Sequence, residues 1–179
     1  MRIVKFASRY KLASAIAVVC AVAIAVTVAT AGSGAPAARH ANPKAPDFTV
    51  AVLGHSGQNV TLSQKYRDKP VIVNFWASWC PPCQRETPLV ASWYKRQHGT
   101  VNLIGLDEND SAASAMKFAE AKGVTYPLGF DPRVTVAGAY GVEELPQTFF
   151  LNARHQIVDH VYGALTSADL ARGLKLMKE

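Results

Sequence analysis

Cysteine is scarce in this sequence, which has only three among its 179 residues. So few cysteines exclude a disulfide scaffold, and only Cys80 and Cys83 lie close together. The sequence also lacks a second Cys-x-x-C pair. Among its five histidines, His155 and His160 could share a site, but lone histidines at a turn and a strand are more often surface or core residues. No metal site is therefore expected, which leaves the pair as a redox-active dithiol or an inert disulfide.

Acidic residues are missing from the first 31 positions, which carry four Lys and Arg side chains. These four supply much of the formal net charge of +6, so the rest of the chain is only weakly basic. The rest also lacks a basic cluster interleaved with aromatic residues. We therefore do not expect nucleic acid as a partner.

One long apolar run, residues 12–31, follows these basic residues. It ends in Ala29-Thr30-Ala31, which has the form of a signal-peptidase site. Its length also matches the roughly 20 residues that a helix needs to cross a bilayer. Residues 1–31 are thus expected to be either a cleaved signal peptide or a membrane anchor. In both cases the rest of the chain lies outside the cytoplasmic membrane.

The remaining chain divides into a linker and one domain. Residues 32–46 are rich in Gly, Ala and Pro and are expected to form a flexible linker before a domain over residues 47–179. A hairpin opens this domain, and strands then alternate with helices, which predicts an α/β fold with a sheet covered on both faces. Strands are expected at 71–76, 101–106, 147–151 and 156–161, and helices at 81–97, 111–122, 134–140 and from 166 onward. The two adjacent late strands make the sheet mixed.

The clearest chemical signal is the motif Trp79-Cys80-Pro81-Pro82-Cys83, which follows a buried strand and opens a helix. Unpaired N–H groups and a partial positive charge at a helix N-terminus stabilise a thiolate, which lowers the pKa of the first cysteine. Prolines fit in the first turn, where their missing N–H would be unpaired anyway. The spacing brings the two sulfurs within bridging distance, so the pair is predicted to cycle between dithiol and disulfide.

The segment from Val71 to Cys83 resembles the core of the thioredoxin superfamily, and most closely its exported TlpA/ResA/CcmG branch. The similarity runs from about Ala45 to the C-terminus. The resemblance implies a thioredoxin-like fold: a central mixed β-sheet flanked by helices, with an N-terminal β-hairpin and an inserted helix after residues 103–108. It also implies a redox-active Cys80–Cys83 disulfide without a further cofactor.

The resemblance implies further site residues. Pro146 matches a cis proline that faces the cysteines and turns the Leu145 backbone toward an incoming peptide. Glu86, in Cys-x-x-Cys-x-x-Glu, matches an acid that raises a thiol pKa and relays protons to the second cysteine; a solvated helix glutamate is the alternative. Asn74 stands where cytoplasmic thioredoxins have a buried Asp, so the titrating role passes to Glu86 or to water. The expected catalytic residues are Cys80, Cys83 and Glu86, and the expected substrate-binding residues are Trp79, Pro81, Leu145 and Pro146.

Three functions fit these residues. The leading hypothesis is a monomeric reductant of protein disulfides in the bacterial cell envelope, membrane-anchored or secreted. The resemblance implies that it serves cytochrome c maturation or copper-protein assembly and receives electrons from a membrane thiol-electron carrier. The second hypothesis is an oxidase that forms disulfides in exported proteins, and the third is a non-catalytic peptide-binding module. A peroxidase is weaker, because the Pro-x-x-x-Thr-x-x-Cys arrangement is absent before both cysteines.

Overall fold

A computed structural model describes residues 42–179, which are built around one seven-stranded mixed sheet. The strands are β1 (Thr49–Val52), β2 (Asn59–Thr61), β3 (Val71–Trp76), β4 (Asn102–Glu108), β5 (Leu128–Asp131), β6 (Gln147–Leu151) and β7 (Ile157–Tyr162). The helices are α1 (Leu62–Lys65), α2 (Pro81–Arg96), α3 (Ala112–Ala121), α4 (Thr135–Tyr140) and α5 (Ser167–Leu176). The expected signal peptide or anchor (1–31) and most of the expected linker (32–46) lie outside the described residues.

The order of the strands is β2-β1-β5-β4-β3-β6-β7. The central strands β3, β4 and β5 run parallel, whereas β6 pairs antiparallel with β3 and the two hairpins are antiparallel. All six residues of β3 are buried, as its continuous apolar sequence predicts for a central strand. The mixed α/β architecture predicted from the sequence is therefore confirmed.

The described residues differ from the predicted elements in three main respects. Helix α1 is not predicted, because its four residues are too few to show helical periodicity. Strand β5 was not expected, because it has only four residues and contains Gly129. A Cβ at Gly129 would lie 2.6 Å from a methyl of Val50 on β1, so this strand needs glycine to join the hairpin to the sheet. The folded part also begins before Asp47, since Ala45 is buried and its N–H donates to the carbonyl of His155 at 2.8 Å.

Two apolar layers cover the sheet. One contains the aromatic cluster of Phe75, Tyr140 and Phe149, whose ring centroids lie 5.1–5.8 Å apart. The other contains Trp76 together with both cysteines of the motif. The cysteine pair thus lies inside one of the apolar layers, at the carboxyl end of β3. Among residues 42–179, no helix has the length and apolar character needed to cross a membrane.

A glycine in α5 provides a test of this packing. A methyl group at Gly173 would overlap the ring of Phe150, which is fully buried on β6. Gly173→Ala is therefore expected to lower the free energy of unfolding by about 1–3 kcal/mol, measured by urea denaturation. Gly138→Ala in α4 is the matched control: nothing lies within 4 Å of its Cβ position, so it should be neutral or slightly stabilising. Equal effects of the two variants would contradict the packing described here.

Candidate redox site

Cys80 and Cys83 are joined by a disulfide at the start of α2, with a Cα–Cα distance of 5.3 Å. Cys80 is the N-cap of this helix, and its Sγ accepts a hydrogen bond from the backbone N–H of Cys83 at 3.2 Å. Pro81 and Pro82 occupy the first two helical positions, where a backbone N–H is not needed. The sulfur of Cys80 therefore lies where the free N–H groups and the positive end of the helix dipole stabilise a thiolate.

Both cysteines are nearly inaccessible in the disulfide form. Cys80 is 2% exposed and Cys83 is 0% exposed. The reason is the apolar layer around the pair, which includes Trp76 and the partly buried Leu145. Trp79, the residue before the pair, is 53% exposed.

The Leu145–Pro146 peptide bond is cis, as the resemblance implies. In the sheet register Gln147 pairs with Phe75, so Pro146 lies just beyond the end of β6, beside the end of β3 that leads to the cysteines. Leu145 and Pro146 line a cleft of about 400 Å³, together with the exposed acids Glu143 and Glu144. Further lining residues lie at the start of β6 and at the end of β7.

Tyr162 also lines this cleft and is not predicted from the sequence. It is 74% exposed and pairs with Gln147 across the β6–β7 ladder. Its ring lies 4.0 Å from that of His160, which stacks on Phe149 at 3.9 Å. The Nε2 of His160 lies 2.9 Å from Gln147 Oε1, which fixes the ring that supports Tyr162. No local signal in the sequence marks Tyr162, because its position follows from its pairing with Gln147.

Glu86 is buried beside the cysteines, at 4% exposure, so the alternative of a solvated glutamate is excluded. Its Oε1 accepts from Asn74 Nδ2 at 3.2 Å, and its Oε2 accepts from the backbone N–H of Leu165 at 2.6 Å. Burial raises the pKa of Glu86 to about 7, although these two hydrogen bonds act in the opposite direction. The carboxyl group therefore changes its charge near neutral pH.

Asn74 connects this acid to the neighbouring strand. Its Nδ2 donates both to Glu86 and to Thr148 Oγ1, the latter at 2.9 Å. Because an amide does not titrate, Glu86 is the group in this network that can exchange a proton. Among residues 42–179, no group of His, Cys, Asp and Glu side chains is arranged to hold a metal ion.

Comparisons with known proteins converge on thiol–disulfide chemistry. Residues 41–160 match the AhpC/TSA family. The thiol-disulfide oxidoreductase ResA of Geobacillus kaustophilus is 35% identical over 136 residues, which cover 75% of this chain and 76% of that protein. A DsbF homologue from Corynebacterium diphtheriae has a TM-score of 0.66 at 25% identity, covering 75% of this chain and 86% of that chain. A secreted thiol-disulfide isomerase from Corynebacterium glutamicum has a TM-score of 0.63 at 26% identity, covering 75% and 85%.

Proposed function

Because the chain belongs to the AhpC/TSA family and is a thiol–disulfide oxidoreductase, we propose that it reduces disulfides of proteins outside the cytoplasmic membrane. In this proposal Cys80 is the attacking thiol, Cys83 is the resolving thiol and Glu86 is the proton acceptor. The observation that carries it is the Cys80–Cys83 pair at the N-terminus of α2 with a buried carboxyl group one turn further on.

The reaction follows from these positions. The Cys80 thiolate attacks one sulfur of the substrate disulfide, and the other substrate sulfur leaves as a thiolate. Cys83 then loses its proton to Glu86 and attacks the Cys80 sulfur of the mixed disulfide, which releases the second substrate sulfur. Two electrons have passed to the substrate, whose two thiolates take up protons, and the enzyme is left with the Cys80–Cys83 disulfide. A thiol donor must then reduce this disulfide before the next cycle.

The buried carboxyl group favours the reducing direction. Glu86 lies three residues after Cys83 on the same helix, a spacing that places two side chains as neighbours. A carboxylate there disfavours the adjacent thiolate and so makes the dithiol form less stable. Strong oxidants of this chemistry have the opposite property, since their reduced form is stabilised. The site therefore supports a reductant.

The cellular setting of the proposal rests on the N-terminal segment and on one structural neighbour. Residues 1–31 have the composition of an export signal or anchor, and the Corynebacterium glutamicum neighbour is named as secreted. We propose a monomeric enzyme held in the cell envelope, reduced by a membrane thiol-electron carrier. Its proposed substrates are disulfides of apocytochrome c or of copper-protein assembly factors, as the resemblance of residues 45–179 implies.

The reduction potential of the Cys80–Cys83 pair tests the direction. A reductant is expected to have a potential close to the value of about −270 mV for thioredoxin, measured by equilibration with glutathione or dithiothreitol buffers. A value near −120 mV, typical of a strong oxidant, would instead support the oxidase alternative. Insulin reduction and oxidative refolding of a reduced protein, run side by side, give an independent answer: the proposal requires activity in the first assay.

Tyr162 provides a test of where the substrate binds. If a substrate peptide lies in the cleft beside Pro146, Tyr162→Ala removes a large exposed contact surface and is expected to raise KM roughly tenfold, the effect of losing one aromatic anchor. The value of kcat and the pKa of the Cys80 thiol should not change. Tyr162→Phe, which keeps the ring, is the control and should behave like the original protein. A fall in kcat at unchanged KM would rule out this binding position.

A further inference from the structure

The segment in front of Cys80 is held by the loop that follows β4. The backbone N–H of Ser78 donates to Asp110 Oδ2 at 2.8 Å, and the indole N–H of Trp79 donates to the carbonyl oxygen of Asn109 at 2.9 Å. Two consecutive residues before the reacting cysteine are thus bonded to two consecutive residues of a different loop. The position of Cys80 depends on this loop as well as on α2.

Asp107, at the end of β4, is an isolated carboxyl group beneath this loop. It is 0% exposed, and neither of its carboxyl oxygens has a donor among the described residues. It pairs with Trp76 on β3 and with Phe130 on β5, so its neighbours along the sheet are apolar. An ionised carboxylate is unfavourable in such surroundings. Burial, followed by the charge of Asp110, raises the pKa of Asp107 to about 8, and a hydrogen bond between the two carboxyl groups becomes possible once Asp107 is protonated.

We propose that Asp110 is a positioning residue for the redox pair, and that the protonated carboxyl group of Asp107 donates a hydrogen bond to it. That hydrogen bond keeps the Asp110 oxygen in place to accept from Ser78. This inference rests on the proposed role of Cys80 as the attacking thiol. It goes beyond that role, because neither acid touches a reacting atom.

The hydrogen bond from the Ser78 N–H to Asp110, which holds the segment before Cys80, is expected to depend on pH. When Asp107 loses its proton, its negative charge faces that of Asp110 and the shared hydrogen bond is lost. The hold is therefore complete at low pH and weakens as the pH rises through about 8. Several other titratable side chains lie on the elements around Asp107. Glu108, Asp110 and Asp131 lie at the same end of the sheet strands, and Glu86 and Tyr126 lie on the same face of the sheet. The remaining ones, Arg85, Lys117 and Glu120, are exposed.

The first experiment uses the oxidised protein, in which the disulfide-bonded cysteines do not titrate. The Ser78 amide and Trp79 indole N–H signals are followed by ¹⁵N NMR from pH 6 to pH 9.5. Both are expected to shift with a midpoint near pH 8, and Asp107→Asn, whose amide donates at every pH, should abolish this shift. Shifts that are absent in the original protein, or unchanged in Asp107→Asn, would overturn the inference. The same titration of Glu86→Gln shows which part of any shift comes from Glu86, whose pKa is about 7.

The second experiment measures alkylation of Cys80 by iodoacetamide in the reduced protein as a function of pH. At pH 7, where the hold on Ser78 is still in place, Asp110→Ala should raise the alkylation rate of the Cys80 thiolate about fivefold, the shift expected from losing one hydrogen bond that holds a buried group. The difference from the original protein should shrink above pH 8. Asp110→Asn retains one acceptor oxygen and should give a smaller increase, which also serves if the alanine variant does not fold. Glu120→Ala, which removes an exposed acid from α3, should leave the rate unchanged.

The two proposals fail in different ways in this experiment. If Asp110→Ala alkylates at the original rate while Cys80 is reactive in the original protein, the positioning role is wrong and the proposed function stands. If Cys80 is no more reactive than a free thiol in the original protein, the proposed function itself is wrong.

Discussion

Replacing Cys80 by serine is expected to reduce disulfide exchange to the background rate, because a hydroxyl oxygen cannot form a mixed disulfide with a substrate. Replacing Cys83 by serine should have a different result. Cys80 still attacks from its position at the helix N-terminus, but no second thiol lies beside it to release the substrate. The enzyme is then expected to accumulate as a covalent complex with its substrate protein through Cys80.

The trapped complex can be identified directly. Cys83→Ser is expressed in cells, free thiols are blocked by alkylation, and mass spectrometry identifies the protein that is released by dithiothreitol. A background of Cys20→Ser excludes adducts at the third cysteine, and Cys80→Ser/Cys83→Ser is the control that should trap nothing. Retention of full activity by Cys80→Ser would contradict the redox mechanism and favour the non-catalytic binding module. A trapped apocytochrome c or copper-binding protein would identify the proposed substrate class.

The local features of this site could be predicted from the sequence because they depend on adjacent residues. The apolar strand Val71–Trp76, the cysteine motif and the prolines of the first helical turn follow one another along the chain. Their order is enough to place a sulfur at a helix N-terminus, at the carboxyl end of a central strand. Strand β5 was missed for the converse reason, since its four residues are recognisable as a strand only through pairing with β4 and β1.

The electrostatic features could not be predicted, because they depend on contacts between distant parts of the chain. Glu86 is fixed by the N–H of Leu165, which is 79 residues away, and Asn74 by Thr148, which is 74 residues away. Nothing local to position 86 distinguishes a buried carboxyl group near neutral pKa from a solvated one. The same applies to Tyr162, whose place beside the cis proline follows from its pairing with Gln147.

Glu86→Gln is expected to slow release of the mixed disulfide by about a hundredfold near neutral pH. Proton transfer by a positioned side chain typically contributes at least about this factor, and a glutamine cannot accept the Cys83 proton. Stopped-flow measurement of the mixed disulfide should show normal formation and slow decay. The double variant Asn74→Asp/Glu86→Gln moves the carboxyl group to the other end of the 3.2 Å Asn74–Glu86 hydrogen bond and should restore part of the rate. Equal decay rates in Glu86→Gln and the original protein would eliminate Glu86 as the proton acceptor.

Glu86→Gln is also expected to change how the free energy of unfolding depends on pH. The pKa of Glu86 is about 7 in the folded protein against its ordinary value of 4.5, so the folded form binds the proton more tightly. The stability from this proton is complete below pH 4.5 and is lost as the pH rises through about 7, by roughly 3 kcal/mol. Urea denaturation between pH 4.5 and 8 should therefore show a shallower decline in Glu86→Gln. A decline remains, because burial raises the pKa of Asp107 and Glu108 in the same direction. The acid that assists turnover thus destabilises the folded enzyme at the pH where it acts, and Glu86→Gln should lose less stability between low and neutral pH than the original protein does.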